Sequence, residues 1–329
     1  MVKRKAHSPA RKDLFEVDKS AKRLTGKRAD RFHSVAAKLL YVSIRARMDI
    51  LLPVEFLCTR VSKSTTQDEA KLLRLLEYIN ATLHLKYTLG ADNLTKLRAW
   101  VDASYAVHPD QKSHTGGIMS FGTGGFVCKS SKQKLNTKSS TEAELVGASD
   151  YLPNILSVKM FLEAQGYRLG ETYFEQDNES AIKLEKNGRM SAGPRSRHIN
   201  IRYFWIKDRV KQEHISIRHC PTEDMIGDFF TKPLQGSLFV RFRDVILGSK
   251  HVDTLNPTTA TIVPLEERVG NYNRDDGATV RKNNGTTVMS AASAKNGITW
   301  ADIVKNGLQV KGKSQSVVSS SFSRNNPDQ

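Results

Sequence analysis

The order of strands and helices between residues 97 and 248 constrains the fold of this chain more than any other sequence feature. Short apolar runs bounded by Gly and polar residues predict strands, and longer runs with apolar residues at helical spacing predict helices. The elements are three strands, a helix, a strand, two helices, a strand and a helix, at residues 97–103, 116–121, 125–128, 141–164, 172–177, 180–186, 199–213, 215–219 and from about Met225. This order predicts an α/β fold in which helices cover a mixed sheet.

The flanking segments divide the chain into four predicted parts. Residues 1–31 hold eleven Lys or Arg and four acids, which predicts a disordered basic arm that also fits a nucleic-acid or nuclear-import patch. Residues 32–95 have apolar positions at helical spacing and predict a small helical segment before the α/β domain at 96–248. Residues 249–329 predict a low-complexity, mostly disordered tail, in which residues 298–304 fit either a short helix or a docking peptide.

Charge and cysteine content exclude several classes of protein. Lys and Arg total 51 against 34 acids, a net charge of +17, which favours a polyanionic partner. No apolar run of about 18 residues predicts a membrane span, and no apolar region follows the basic start as in a secretory signal. Three distant cysteines without a C-x-x-C pair exclude a disulfide framework and a structural zinc site. We therefore expect a protein of the cytoplasm, the nucleus or both.

Four acids stand at positions where a sheet can bring them together. Asp102 lies inside an apolar strand, Glu144 opens the long helix, Asp177 ends the fourth strand and Asp228 opens the last helix. Carboxylates that converge at one sheet edge repel one another and need cations to stay ionised. Mg²⁺ is the natural partner of such oxygen ligands, and two ions would support hydrolysis of a phosphodiester.

Three of these acids also have purely structural interpretations. Glu144 fits a capping box with Thr141, and Glu142 is just as near the helix start. Asp177 fits an N-cap of the following helix, and Asp228 fits a favourable interaction with a helix dipole. Only the acid inside the strand has no ready structural explanation, since Asp is disfavoured in strands.

Seven motifs, in the order in which they occur along the chain, resemble those of the ribonuclease H domain of copia-type retrotransposon Pol polyproteins. They occur at residues 101–110, 113–117, 130–133, 139–145, 176–181, 197–204 and 221–234. The resemblance implies a five-stranded mixed sheet flanked by helices, and a preceding segment, residues 32–95, that joins this domain to a polymerase. It also implies that Asp102, Glu144, Asp177 and Asp228 bind two Mg²⁺ ions, for which Mn²⁺ can substitute, and hydrolyse the RNA strand of RNA–DNA hybrids.

The same resemblance predicts the C-terminal part of a longer Pol polyprotein. No Tyr-x-Asp-Asp occurs before Asp102, so the sequence predicts no DNA synthesis by this chain. A reverse transcriptase polymerase part would have to be supplied elsewhere.

Polar and basic residues in or next to the motifs at residues 176–181 and 197–204 are candidate contacts to nucleic acid. They are Asn178, Arg195, Arg197, His198 and Arg202. Phosphate contact along a hybrid is one interpretation, and a solvated helix face is the other.

Two further function classes remain at this stage. A catalytically dead nucleic-acid-binding remnant would keep the charge without the hydrolysis. An integrase-like nuclease would use Asp177 and Glu213, which have a suitable spacing, but no His/Cys zinc module precedes the core.

Overall fold

The computed structural model of the chain describes residues 4–187 and 197–255. Within these ranges the α-helices are α1 (Gly26–Arg45), α2 (Leu51–Cys58), α3 (Thr66–Ala81), α4 (Ser140–Ala164), α5 (Glu179–Asn187), α6 (Arg197–Gln212) and α7 (Gly236–Ile246). The strands are β1 (Gly90–Ala91), β2 (Lys96–Ser104), β3 (His114–Ser120), β4 (Gly122–Thr123), β5 (Val127–Lys132), β6 (Glu171–Gln176) and β7 (Ile215–His219). None of the described helices is long and apolar enough to cross a membrane.

Five of the strands form one mixed sheet in the order β5-β3-β2-β6-β7. Strand β3 runs antiparallel to both β2 and β5, whereas β6 runs parallel to β2 and β7. Parallel neighbours need long crossover connections, which α4 supplies between β5 and β6 and α5 with α6 supply between β6 and β7. The predicted α/β fold, a five-stranded mixed sheet flanked by helices, is confirmed.

Helices α4, α5 and α6 cover one face of the sheet. Side chains alternate between the two faces of a strand, and Leu97, Ala99 and Val101 of β2 all pack into the cluster on this face. Tyr151 of α4 and Ile206 of α6 are buried in the same cluster. This packing fixes α4 against β2 and β3, and thereby fixes the helix start next to the end of β2.

The other face of the sheet packs against helices from both ends of the chain. Trp100 of β2 is buried in one cluster with Phe56 of α2, Tyr78 of α3 and Phe242 of α7. The predicted helical segment, residues 32–95, therefore shares a hydrophobic core with the sheet.

The structure differs from the disordered arm predicted for residues 1–31. Helix α1 already begins at Gly26, and Leu14 and Leu24 are buried in the core cluster. The ammonium of Lys71 donates a hydrogen bond of 2.8 Å to the carbonyl of Leu14. The apolar residues of this segment lack helical or strand periodicity, so the sequence pattern did not reveal that they pack in an irregular segment.

The end of the domain also differs from the predicted single helix that starts near Met225. A 3₁₀ helix, Ile226–Phe230, comes first, and α7 begins only at Gly236. Pro233 between them lacks the backbone N–H that a continuous helix requires. Most of the predicted tail, including residues 298–304, lies outside the described residues.

Candidate metal centre

Asp102 lies near the carboxyl end of strand β2. Asp102 is 2% exposed, and its carboxylate accepts a hydrogen bond from the hydroxyl of Thr231. A Cβ added at Gly227 would lie 3.1 Å from the Cβ of Asp102, so the 3₁₀ helix approaches the strand closely here. Thr231 and the 3₁₀ helix together fix the orientation of this carboxylate.

Helix α4 separates the two acids near its start into different roles. Ser139 is the N-cap, and its hydroxyl accepts a hydrogen bond from the backbone N–H of Glu142. The side chain of Glu142 accepts in turn from the backbone N–H of Lys138. Glu144 is instead buried and accepts a hydrogen bond from the backbone of Ala103 in β2. The cap interactions therefore belong to Glu142, and Glu144 faces the sheet.

Asp177 follows the last residue of β6 directly. Strands β2 and β6 are parallel neighbours, so their carboxyl ends lie at the same edge of the sheet. The hydroxyl of Thr222 lies 3.4 Å from Oδ2 of Asp177. Asp177 is half-buried and thus has one side open to solvent.

Asp228 lies in the 3₁₀ helix Ile226–Phe230 rather than at the start of a long helix. The ammonium of Lys232 donates a hydrogen bond of 2.7 Å to Oδ1 of Asp228. The same ammonium lies 3.8 Å from Oδ2 of Asp102. Lys232 therefore bridges the carboxylates of these two acids.

The structure brings three of the four predicted acids into one cluster. One carboxylate oxygen from each of Asp102, Glu144 and Asp177 lies within 4.8 Å of the other two. Oδ2 of Asp102 and Oδ1 of Asp228 contact the same Lys232 ammonium, which places the fourth acid beside the cluster.

The cluster fits a hard divalent cation. Oε2 of Glu144 is buried and has no hydrogen-bond partner, which is costly unless another ligand contacts that oxygen. Mg²⁺ and Mn²⁺ prefer carboxylate oxygens of this kind. All of the donor atoms are carboxylate oxygens, which suit such ions and do not suit a soft metal.

Burial and repulsion between carboxylates raise the pKa values of Glu144, Asp177 and Asp228. Burial, and then the charges of Asp102 and Asp177, raise the pKa of Glu144 well above its usual value. Burial and the charge of Asp102 also raise the pKa of Asp177, and they raise the pKa of Asp228 to about 7. Burial opposes the charge of Lys232, but Asp102 and Asp228 raise its pKa overall. A bound cation would relieve this repulsion.

Asp102, Glu144 and Asp177 line an open cleft of about 610 Å³. Its remaining lining residues are Ala103, Ser104, Tyr105, Val107, Ser140, Asn178, Glu179, Ser180 and Lys232. Hydroxyl, amide and ammonium groups around a carboxylate cluster can contact a polar, negatively charged substrate.

The five candidate nucleic-acid contacts do not all lie in the cleft. Asn178 lines the cleft, and its side-chain oxygen accepts a hydrogen bond from the backbone of Ala181 in α5. Arg202 is paired with Asp150 of α4 at 2.5 Å. The remaining three are Arg197 and His198, in the first turn of α6, and Arg195, outside the described residues.

Glu213, which an integrase-like nuclease would use together with Asp177, lies away from the carboxylate cluster. Its carboxylate pairs with the ammonium of Lys159 at 2.8 Å, just beyond the end of α6. It does not join the described carboxylate cluster of Asp102, Glu144 and Asp177.

Sequence reasoning did not assign roles to Thr231, Lys232 or Thr222, which contact the acids. Thr231 and Lys232 lie in the motif at residues 221–234, so their position beside Asp228 was a usable signal. For Thr222 no local pattern pointed to Asp177, because the two are 45 positions apart.

Comparison with known proteins finds relatives among retrotransposon polyproteins. No family model matches the chain. It is 27% identical over 216 residues to the retrovirus-related Pol polyprotein from transposon TNT 1-94 of Nicotiana tabacum, which covers 65% of this chain and 16% of that protein. It is 29% identical over 217 residues to the Pol polyprotein from transposon RE1 of Arabidopsis thaliana, covering 65% of this chain and 15% of that protein.

A yeast relative and one solved structure complete the comparison. The transposon Ty1-H Gag-Pol polyprotein of Saccharomyces cerevisiae is 25% identical over 200 residues, 59% of this chain and 11% of that protein. The crystal structure of ribonuclease H1 from Halobacterium salinarum has a TM-score of 0.25 and 12% identity, covering 39% of this chain and 86% of that chain. The chain thus spans about one sixth or less of these polyproteins, and the predicted resemblance to copia-type Pol polyproteins is confirmed.

Proposed function

From this similarity to copia-type Pol polyproteins, we propose that the chain is a metal-dependent ribonuclease that hydrolyses the RNA strand of RNA–DNA hybrids. The observation that carries the proposal is the carboxylate cluster of Asp102, Glu144 and Asp177, with a buried Glu144 oxygen that lacks a partner. Asp228, beside Asp102 through Lys232, completes the proposed set of four acids.

The four acids would hold two Mg²⁺ ions, or Mn²⁺ in their place. When bound, such ions activate water and stabilise the leaving oxygen of a phosphodiester. The chain's own contribution is orientation. Thr231 orients the carboxylate of Asp102, the backbone of Ala103 orients Glu144, and Lys232 offsets negative charge between Asp102 and Asp228. Fixed ligand orientation of this kind determines metal affinity.

Contact with a hybrid is supported by the net charge of +17 and by the polar lining of the cleft. Asn178, Arg195, Arg197, His198 and Arg202 are the proposed contacts. Arg202 is paired with Asp150 through Nη1, so a phosphate could bind its remaining N–H groups or replace that ion pair. Backbone and 2′-hydroxyl contacts would distinguish RNA from DNA in the A-form duplex.

We also propose roles for the parts of the chain, a cellular location and a protein partner. The proposed nuclease domain is residues 96–248. Its flanking segments are residues 1–31, 32–95 and 249–329, and the whole has no polymerase activity. The proposed location is the cytoplasm or the nucleus, and the proposed protein partner is a reverse transcriptase polymerase part supplied elsewhere.

Cleavage of a labelled RNA–DNA hybrid tests this function. The full chain with Mg²⁺ or Mn²⁺ should cut the RNA strand, leave a 3′-hydroxyl and spare the matching DNA duplex. Asp102→Asn and Asp177→Asn should abolish cleavage while hybrid binding persists, because only charge is removed. A wild-type chain that folds and binds the hybrid but never cuts it would support the dead-remnant hypothesis instead.

A further inference from the structure

A buried hydrogen-bond chain connects the loop after β2 to the turn that follows Asp228. Nε2 of His108 lies 2.9 Å from Nδ1 of His114, and Nε2 of His114 lies 2.7 Å from the hydroxyl of Ser130. The Ser130 hydroxyl donates a bond of 2.8 Å to the carbonyl of Phe230. All four residues are buried, and none belongs to the carboxylate cluster.

The donor and acceptor in each of these hydrogen bonds follow from the Phe230 carbonyl. A carbonyl oxygen only accepts, so the single hydroxyl proton of Ser130 is committed to it. Ser130 must then accept its second bond from Nε2–H of His114. A neutral His114 therefore presents Nδ1 as an acceptor, and Nε2–H of His108 donates to it.

The surroundings keep both imidazoles neutral. Phe15 packs edge-on against His108 with ring centroids 5.1 Å apart, and Phe56 stacks on the same ring at 6.2 Å. Burial, and then Lys132, lower the pKa of His108 to about 4, although Asp110 opposes this change. Burial and His108 lower the pKa of His114 well below its usual value.

The Phe230 carbonyl, the last acceptor in this series of hydrogen bonds, belongs to the segment that contacts the carboxylate cluster. Phe230 lies between Asp228 and Lys232, and the next residue, Thr231, donates to the carboxylate of Asp102. The carbonyl of Thr231 accepts from the hydroxyl of Ser104 at 3.3 Å. Ser130 therefore attaches this segment to strand β5 beside the point where the segment contacts Asp102.

We infer that Ser130 and His114 are positioning residues. Through the end of the 3₁₀ helix at Phe230, they keep the carboxylates of Asp102 and Asp228 in place. The inference rests on the proposed function. Removing the Ser130 hydroxyl leaves the buried Phe230 carbonyl and the His114 N–H without partners. The 3₁₀ helix Ile226–Phe230 then loses this hydrogen bond to β5. Asp102 and Asp228 consequently lose the arrangement that a divalent cation needs.

Cation binding tests this role without measuring activity. The full chain is titrated with Mg²⁺, and in parallel with Mn²⁺, while its melting temperature and heat of binding are recorded. Ser130→Ala should raise the half-saturating cation concentration roughly tenfold, the scale at which residues behind metal ligands act. Ser130→Thr keeps the hydroxyl and should retain the wild-type concentration.

A matched control separates positioning from general stability. Ser120 lies in β3, is buried, and donates a bond of 2.7 Å to the carbonyl of Gly124. Ser120→Ala removes the same kind of bond at a different place in the sheet and should lower only the melting temperature. His114→Leu and His114→Gln form a second pair, since the Gln amide still donates toward Ser130 and should retain cation binding that Leu weakens.

Two results overturn the inference. One is an unchanged half-saturating concentration in both Ser130→Ala and His114→Leu, with a loss of melting temperature like that of Ser120→Ala. The other is a failure of Ser130→Thr to retain cation binding. A wild-type chain that shows neither a cation response nor cleavage contradicts the proposed function itself, so the two failures are distinguishable.

Discussion

Glu142 and Glu144 lie two positions apart in α4, and the helix turns them to nearly opposite sides. Glu142 accepts a hydrogen bond from the backbone of Lys138 near the surface. Glu144 is buried among other acids and keeps one oxygen without a partner. At the scale of single residues, therefore, one acid stabilises the helix start and the other is available for a cation.

Glutamine substitutions should separate these two acids. Glu144→Gln removes a charge from the cluster and should reduce hybrid cleavage by on the order of 100-fold or more, whereas Glu142→Gln should stay close to wild type. Initial rates at saturating Mg²⁺ measure the effect. Because the charged form of Glu144 is disfavoured, Glu144→Gln should also raise the melting temperature in a chelator. The reverse order of rates would refute the assignment of the helix acid.

Gly116 occupies a position where no side chain fits. An added Cβ would lie 2.7 Å from the Cβ of Phe230 and 2.9 Å from the carbonyl oxygen of Gly227. Gly116→Ala should therefore lower the free energy of unfolding by about 1–3 kcal/mol, as measured by urea denaturation. Gly170→Ala is the control, because its added Cβ meets nothing nearer than 3.7 Å. Equal stability of the two variants would contradict the close packing at Gly116.

At the scale of elements, one histidine holds the 3₁₀ helix Val252–Thr254 against the rest of the fold. Nε2 of His251 lies 2.7 Å from the carboxylate of Asp92, and Nδ1 lies 3.2 Å from that of Asp253. Asp253 also pairs with Arg98 of β2 at 3.1 Å. Hydrogen bonds that the His251 ring donates to the carboxylates of Asp253 and Asp92 raise the pKa of His251 to about 9.

This contact should make stability depend on pH. The folded pKa of His251 exceeds its ordinary value of 6.5, so the stabilisation is complete below pH 6.5 and is lost as the pH rises through about 9. The free energy of unfolding of wild type minus that of His251→Gln should fall by on the order of 1–2 kcal/mol over this window. Urea denaturation at several pH values measures it, and a difference independent of pH would contradict the ion pair.

At the scale of the whole molecule, one core joins segments from both ends of the chain to the sheet. Leu14 in the N-terminal segment, Tyr78 in α3 and Phe242 in α7 belong to the same buried cluster as Trp100 of β2. The N-terminal segment is therefore part of the folded unit, and the ring of Phe15 packs against the rings of His108 and His114.

Leu14→Ala tests whether this segment is packed. A buried Leu replaced by Ala leaves a cavity and should lower the free energy of unfolding by about 2–5 kcal/mol. Lys12→Ala, at an exposed position two residues away, should have little effect. Urea denaturation of both variants measures the difference. If residues 1–31 formed a solvated arm, both variants would match wild type.

Divalent cations should stabilise the whole molecule. A ligand that binds only the folded chain raises its stability by mass action, and it also relieves repulsion among Asp102, Glu144, Asp177 and Asp228. The melting temperature should therefore rise as Mg²⁺ or Mn²⁺ is added up to about 10 mM. Asp102→Asn should abolish the rise. A melting temperature that stays flat in wild type would count against an assembled metal site.

Local sequence patterns were enough to predict most elements of the sheet and its covering helices, and the motifs were enough to predict the family resemblance. Local periodicity predicted β2, α4, β6, α6 and β7 to within a few residues, because alternation and helical spacing depend only on near neighbours. An acid inside an apolar strand pointed to Asp102 for the same local reason.

The contacts that hold these acids in place became visible only in three dimensions. Local pattern left Glu142 and Glu144 as equal candidates, and the burial of Glu144 against β2 separates them. The attachment of the Phe230 turn to Ser130 joins residues 100 positions apart, and the packing of Leu14 against the core has no periodicity. Contacts between distant parts of a chain depend on how elements pack in three dimensions, and no short stretch of sequence contains that information.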